Sequence, residues 1–404
     1  MIDMKCNILI HIGSLNAGGA EKSLISFLSL IDPELYNVDL LLLKDEGVFR
    51  NLLPKHVKVI LPEFPYKCLA VSPKNMSFYL SHSPKFLFKK VYSLFRLIFR
   101  NLLSKDQIIW QIWKHDIGEL DKQYDVAISY IEGIPNYYVI DKIKAQRKIL
   151  WVHNEYSKLK YDKDFDKEYF EKADVVVTVS ELCFQNLLSN FPSLKTRFCV
   201  LENITNPSLV RELADQCIQD DQFDDSYNGL ILLSIGRLHP QKNYDLAIEA
   251  ARIINDMGIN FKWYIIGDGF LKDSLSKKID ELKLNDRVIL LGIRENPYSY
   301  MKRSHIIVQS SLYEGKSIVI DEAKILHKPI VVTNYNTVYN VISDHINGLI
   351  CEMTPESVAE SIMELYNKPE VLKTITRNLV EENVNNVDEI HKYLDVIKGV
   401  LPIS

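Results

Sequence analysis

Two doubly wound α/β domains in tandem are the fold this sequence predicts, on three observations. Short apolar runs alternate with amphipathic stretches that read as helices, and the alternation occurs twice. In the second half the runs end in glycine-rich or polar loops, where open parallel sheets collect ligand-binding residues. At 404 residues the chain is longer than one core ordinarily serves.

In the first half, Asn7–Ile12 is a strand that breaks at Gly13. Ala20–Ile31 is a helix with Leu24, Ile25, Phe27, Leu28 and Ile31 on one face. Gly18 and Gly19 start that helix. They let a ligand phosphate or sugar approach the backbone, or they serve a tight turn. The pattern is not G-x-G-x-x-G, which weighs against a nicotinamide dinucleotide. Val38–Leu43 and Val57–Leu61 continue as strands. Asp125–Tyr130 and Lys148–Val152 flank a helix near Ile134–Lys144, and Asp174–Val179 and Arg197–Leu201 complete the set. His153 follows directly on a strand end, a ligand-binding position in such sheets or a plain surface loop. Asp162, Asp164 and Asp166 alternate, but an EF-hand needs glycine and a later glutamate where Lys167 and Ala173 stand. They read as a solvated loop or helix start.

The segment from Pro84 to Lys105 is unusual. Lys85, Lys89, Ser93, Arg96, Arg100 and Ser104 share one helical stripe, most other positions are apolar, and no acid occurs. Such a helix lies in an anionic membrane surface with its lysines among headgroups, or it is a buried helix with one wet edge.

Asn206–Asn228 is acid-rich and reads, in its later part, as a linker. Leu230–Ile235, Phe261–Ile266, Arg287–Leu291 and His305–Gln309 are the next strands, ending near Gly236, Gly267–Gly269, Gly292 and Ser310. From Ser310 to Thr333 the chain reads loop, helix, strand. Glu314 stands in the loop and Glu322 inside the helix. Such a helix mouth suits a phosphate, and a buried glutamate needs a partner such as a sugar hydroxyl. Arg237 and Lys242 bring a planar fork and a point charge to the same set of loops, enough to hold a diphosphate without a metal.

The formal net charge of −5 argues against a general nucleic-acid binder. The part through Thr205 is net positive and the rest net negative. Six scattered cysteines without a C-x-x-C pair fit reduced thiols in a cytoplasmic protein. The N-terminal apolar run is too short for a signal peptide, and no stretch is long and uncharged enough to cross a membrane.

Gly236-Arg237-x-x-x-Gln241-Lys242, Gly267-Asp268-Gly269, and Glu314-Gly315 with Glu322-Ala323 and Pro329 together resemble the donor domain of retaining GT-B glycosyltransferases of the large bacterial family four (group 1). The resemblance runs from about Leu230 to Ser361. It is looser in the first half, at Gly18-Gly19-Ala20-Glu21 and His153. It implies two Rossmann-like domains facing across a cleft. Residues 1–205 would form the acceptor domain, with the basic helix at about 85–105. A linker would occupy 206–228 and the donor domain 229–385, and a helix in 386–404 would return to the first domain.

It also implies roles. Arg237 and Lys242 would hold the diphosphate of a nucleotide sugar, and Glu322 the ribose. Glu314 would face the sugar, aided by N–H groups from Gly315, Lys316, Ser317 and Ile318. Gly236, Gly267 and Gly269 would line the donor site, and Gly292 with Arg294 would meet the base. His153 would reach the sugar, with Gly18 and Gly19 on the acceptor side. No metal or other cofactor is implied. The expected function is a retaining transfer to a lipid-linked or saccharide acceptor in capsule, O-antigen or similar polysaccharide synthesis, at the inner membrane face, with Lys85, Lys89, Arg96 and Arg100 on the lipid. The alternatives are a GT-B-fold nucleotide-sugar epimerase, which needs no acceptor, and a non-catalytic sugar-nucleotide binder. Lys316 stands where the family often has an aromatic or apolar residue, and His327 where it often has glycine. The sequence names neither the sugar nor the base.

Overall fold

In a computed structural model, described for residues 5–16, 18–72, 74–98, 104–218, 220–224, 226–314, 317–382 and 387–400, the chain forms two α/β units. One comprises Met1–Ile204 with Asp388–Ser404, the other Thr205–Val387.

Among the described residues the first unit has seven strands: β1 (Cys6–Ile12), β2 (Tyr36–Leu42), β3 (Lys58–Ile60), β4 (Gln123–Ser129), β5 (Lys144–Val152), β6 (Val175–Thr178) and β7 (Phe198–Val200). Every pair is parallel, in the order β3-β2-β1-β4-β5-β6-β7. Ile8, Leu9 and Ile10 are all buried, because helices cover both faces of a parallel sheet. Those helices are α1 (Gly19–Leu30), α2 (Met76–His82), α3 (Pro84–Ile98), α4 (Lys105–Trp113), α5 (Ile134–Lys142), α6 (Tyr156–Leu159), α7 (Lys163–Lys172) and α8 (Glu181–Asn190).

The second unit begins with α9 (Pro207–Ala214). It continues through β8 (Leu230–Ile235), α10 (Tyr244–Asp256), β9 (Phe261–Ile266), α11 (Lys272–Glu281), β10 (Val288–Gly292), α12 (Tyr298–Arg303), β11 (Ile306–Gln309), α13 (Ile318–Ile325), β12 (Ile330–Thr333), β13 (Leu349–Cys351), α14 (Pro355–Asn367) and α15 (Pro369–Glu382). Its parallel sheet has the order β10-β9-β8-β11-β12-β13. A final helix, α16 (Glu389–Lys398), belongs to the first unit. There the Tyr393 hydroxyl donates to the Glu202 carbonyl at 3.0 Å, and its ring lies 5.2 Å from Phe27 and 5.7 Å from Trp151.

Four regions differ from the sequence expectation. The linker read over 206–228 starts with a helix: Asn206 caps α9 by accepting from Ser208 and Leu209 N–H, and Val210 and Leu213 are buried. Phe223 lies in the second unit's core beside Tyr264 and Tyr300. Of the three alternating aspartates, Asp162 caps α7 through the Phe165 N–H at 2.9 Å, which makes the segment a helix start. Asp166, however, is buried rather than solvated. It accepts from the Tyr137 hydroxyl, the Gln107 amide and the Tyr156 hydroxyl.

Of the basic helix read over 85–105, α3 is described as Pro84–Ile98, residues 99–103 lie outside the described residues, and Ser104 starts a separate helix, α4, with a capping box. Arg100 lies outside the described residues. Part of the basic stripe of α3 is also turned inward. Lys89 pairs with the Asp116 carboxylate, and Lys90 donates to the Cys68 and Leu69 carbonyls at 3.1 and 2.9 Å. Ser93 accepts from the Trp113 indole at 2.9 Å. Lys89 and Ser93 therefore face the protein, because a buried indole and a carboxylate need partners, while Lys85 and Arg96 stay exposed. Phe88 and Ile98 are 74% and 76% exposed, with Val91, Tyr92, Leu94 and Phe95 beside them. The fourth difference is at α13: the helix-like run that the sequence carries as far as His327 is helical only from Ile318 to Ile325.

Candidate functional site

In the second unit the winding direction reverses between β8 and β11, so the loops leaving their C-terminal ends diverge and open a crevice. Three strand-end loops are tied together around it. The Gly236 N–H donates to the Ile266 carbonyl, the Gly267 N–H to that of Gly292, and the Leu238 N–H to that of Asp268, each at 2.9 Å. Gly267 has φ +146°, and a Cβ there would stand 1.9 Å from the Gly236 oxygen, so only glycine fits. At Gly269 a Cβ would come within 2.4 Å of the Leu238 oxygen. Gly292, at φ +74°, turns the chain toward Arg294.

Into this frame the fold brings Lys242 and Glu314. Lys242 lies between β8 and α10, Glu314 between β11 and α13, and their Nζ and Oε1 are 2.5 Å apart. The same oxygen accepts from the Ser311 hydroxyl at 2.6 Å and the Gln309 amide at 2.9 Å. Glu314 Oε2 accepts from the Gln241 amide at 3.3 Å. The carboxylate is thus fixed by one cation and three neutral donors, a charge-assisted arrangement. Arg237 is exposed and has no ion pair among the described residues. Gly315 and Lys316 lie outside the described residues.

Glu322 is fully buried in the second turn of α13 and accepts from the Tyr298 hydroxyl of α12 at 2.8 Å. Burial first, and then the Glu322 carboxylate, push the Tyr298 hydroxyl far above its usual range, so it remains a donor. Ser317 is the N-cap of α13 yet makes no side-chain cap; its hydroxyl donates instead to Gln309 Oε1 at 2.9 Å. The far end of α13 closes with the His327 N–H on the Lys324 carbonyl and the Lys328 N–H on the Ala323 carbonyl, both at 2.9 Å. His327 sits there at φ +53°, a left-handed position that glycine takes without strain.

Arg294 does not project freely. Its Nε donates to Asp220 at 2.7 Å, Nη2 donates to Gln222 at 2.9 Å, and Tyr300 shares the Asp220 carboxylate.

In the first unit, the His153 Nε2 donates to the Tyr130 carbonyl at 3.0 Å, which leaves Nδ1 as the acceptor. Glu132 holds this strand end by accepting from the His153 N–H at 2.9 Å and the Asn154 amide at 2.5 Å. Burial lowers the His153 pKa, and the Glu132 charge opposes that shift. Gly18 is the N-cap of α1 with φ −137°; a Cβ would overlap the Glu21 carboxylate rather than backbone.

Sequence reasoning missed Gln309, Ser311, Tyr298, Glu132 and Asp220. Gln309 alone carried a signal, an amide ending an otherwise apolar strand. The others meet their partners only through the fold.

Residues 219–382 match the family model of glycosyl transferases group 1. An N-acetylgalactosamine-N,N'-diacetylbacillosaminyl-diphospho-undecaprenol 4-alpha-N-acetylgalactosaminyltransferase of Campylobacter jejuni is 25% identical over 97% of this chain and 98% of its own length. An uncharacterized glycosyltransferase of Methanocaldococcus jannaschii is 29% identical, over 60% of this chain and 65% of its own. A UDP-Gal:alpha-D-GlcNAc-diphosphoundecaprenol alpha-1,3-galactosyltransferase of Escherichia coli is 29% identical over 43% of this chain and 45% of its own. Among solved structures, Anabaena HepE in complex with UDP-glucose aligns with a TM-score of 0.65 at 18% identity, covering 98% of this chain and 100% of that one. The two parallel-sheet α/β units therefore share the GT-B fold.

Proposed function

On the match of residues 219–382 to the group 1 glycosyl transferases, we propose that the chain moves a sugar from a nucleoside-diphosphate sugar to a lipid-linked saccharide with retention of anomeric configuration. The product would extend a cell-surface polysaccharide. The observation that carries the reading is the meeting of Lys242 and Glu314, 72 residues apart in sequence, at the switch point of the second sheet.

The chemistry follows from charge. As the glycosidic bond breaks, the sugar gains oxocarbenium character and the diphosphate gains negative charge. Arg237, Lys242 and the uncapped mouth of α13 stabilise that leaving group. The diphosphate displaces Glu314 from Lys242, which frees the carboxylate for a sugar hydroxyl. Glu322 takes the ribose hydroxyls, with Tyr298 holding it. His153 offers Nδ1 to a sugar hydroxyl. A phosphate oxygen accepts the acceptor's proton on the face the leaving group occupies. Fixed cations supply the positive charge, so the reaction needs no divalent metal and persists in excess chelator.

The acceptor assignment is supported by the Campylobacter and E. coli relatives, whose names specify diphosphoundecaprenol-linked saccharides. Among the described residues no helix is long and apolar enough to cross a membrane. We assign the exposed apolar face of α3 to the inner membrane surface, with Phe88, Phe95 and Ile98 entering the lipid and Lys85 and Arg96 beside the headgroups.

The test is transfer from a panel of nucleotide sugars to diphosphoundecaprenol-linked saccharides, with NMR assignment of the new linkage. A product of the donor's own anomeric configuration, formed only when acceptor is present, supports the proposal. Product from donor alone supports an epimerase instead, and no turnover of any donor contradicts both.

A further inference from the structure

We propose that Gln309 is a positioning residue that keeps the mouth of α13 open for the diphosphate by holding the Ser317 hydroxyl away from it. This rests on the donor site proposed above. A serine at an N-cap ordinarily turns its oxygen back to accept from the second or third N–H of the helix. Ser317 has the extended backbone of such a cap, φ −88° and ψ 103°, but its hydroxyl does not cap. It donates instead to Gln309 Oε1 at 2.9 Å.

Gln309 is the last residue of β11 and is 6% exposed, so its amide is not available to solvent. Its Nε2 donates to Glu314 Oε1 at 2.9 Å and to the Ser311 hydroxyl at 3.2 Å. One buried amide therefore joins Glu314 to Ser317. Its nitrogen fixes the sugar-facing carboxylate, and its oxygen captures the side chain that would compete with phosphate for the helix N–H groups. Thr333 Oγ1 donates to the Gln309 carbonyl at 3.3 Å and to that of Ser311 at 2.6 Å, which anchors the strand end. A leucine at 309 would fill the space and offer neither bond. Ser317 would then be free to cap α13, and the diphosphate would have to displace it.

The experiment is titration calorimetry of UDP against four proteins: wild type, Gln309→Leu, Ser317→Ala and the double variant. Gln309→Leu weakens UDP binding about five- to tenfold, the size of a cap interaction. Ser317→Ala alone sets the reference affinity for a helix mouth that keeps its backbone N–H groups but has no hydroxyl to cap them. In the double variant UDP affinity returns to within twofold of wild type, while kcat stays low because Glu314 still lacks its amide donor. A general loss of loop structure would leave the double variant as weak as Gln309→Leu, and that result overturns the proposal, as does unchanged UDP binding in Gln309→Leu. Arg237→Ala separates the two levels. If it weakens UDP binding while Gln309→Leu does not, only the positioning role fails; if Arg237→Ala is also silent, the donor site itself is misassigned.

Discussion

The crevice of the second unit and the helix α3 of the first both carry lysines that sequence reading assigned to an outside anion. In both, the structure gives the lysine an internal carboxylate: Glu314 for Lys242, Asp116 for Lys89. The surroundings separate the two. Around Lys242, neutral donors converge on the carboxylate, an exposed Arg237 stands nearby and a helix start is left uncapped. That is a polar site whose internal ion pair a diphosphate can exchange. Around Lys89, the ion pair fastens the helix to Asp116 and turns an apolar face outward. The same residue type therefore marks a binding group in one region and a strut in the other. The neighbours of its carboxylate partner decide which.

The largest expected effect falls on the crevice. Arg237→Ala or Lys242→Ala should each lower kcat by about 10²–10³-fold, the scale of losing one fixed donor to developing charge. Steady-state rates with the best nucleotide sugar check this; changes under threefold would remove these residues from the site. On α3, the triple change Phe88→Ser, Phe95→Ser, Ile98→Ser should release the protein from vesicles of anionic phospholipid by at least roughly tenfold, since each side chain withholds over a kcal/mol of transfer energy. Flotation measures it. Lys89→Gln, by contrast, should lower thermal stability more than vesicle binding, because that lysine is a strut. The reverse ranking would restore the headgroup role.

Asp166 sharpens the comparison within the first unit. Burial lifts its carboxyl to about 6, although Tyr137, Gln107 and Tyr156 hydrogen bonds oppose the shift. The unfolded carboxyl loses its proton first, near pH 4, so the native state holds more protons between about 4 and 6. Stability contributed by the neutral acid is present below that window and is lost as pH rises through it, by up to about 3 kcal/mol. Denaturant midpoints for wild type and Asp166→Asn should hold one offset below about pH 4, separate by a changing amount as pH rises to about 6, and hold a new offset above it. A constant difference across that range would show no such titration. The smallest effect is expected at His327→Gly. Relief of the left-handed strain gains up to about 1 kcal/mol, set against the lost 3.3 Å contact from His327 Nδ1 to the Leu379 carbonyl.

The strands were legible because parallel sheets covered on both faces need continuous apolar runs, and Ile330-Val331-Val332 or Val175-Val176-Val177 cannot easily be anything else. The crevice was legible as a set of strand-end residues, since Gly236, Gly267 and Gly292 terminate such runs. The facing of α3 was not. Helical period shows that Lys85, Lys89 and Ser93 share a stripe, but only Asp116 and Trp113 turn Lys89 and Ser93 inward, while Lys85 at the edge stays exposed. Tyr298 and Asp220 were hidden for the same reason: each is distant in sequence from the group it serves, 24 residues from Glu322 and 74 from Arg294.

The most direct test of the account is UDP affinity in Glu314→Gln. If Lys242 is held by Glu314 at rest and passes to the diphosphate on binding, removing the carboxylate charge frees the lysine. UDP should then bind several-fold tighter than to wild type while sugar transfer is lost, and Lys242→Ala should bind UDP more weakly. If Glu314→Gln weakens UDP binding alongside Lys242→Ala, the pair is a structural strut like Lys89 and Asp116, and the exchange does not occur.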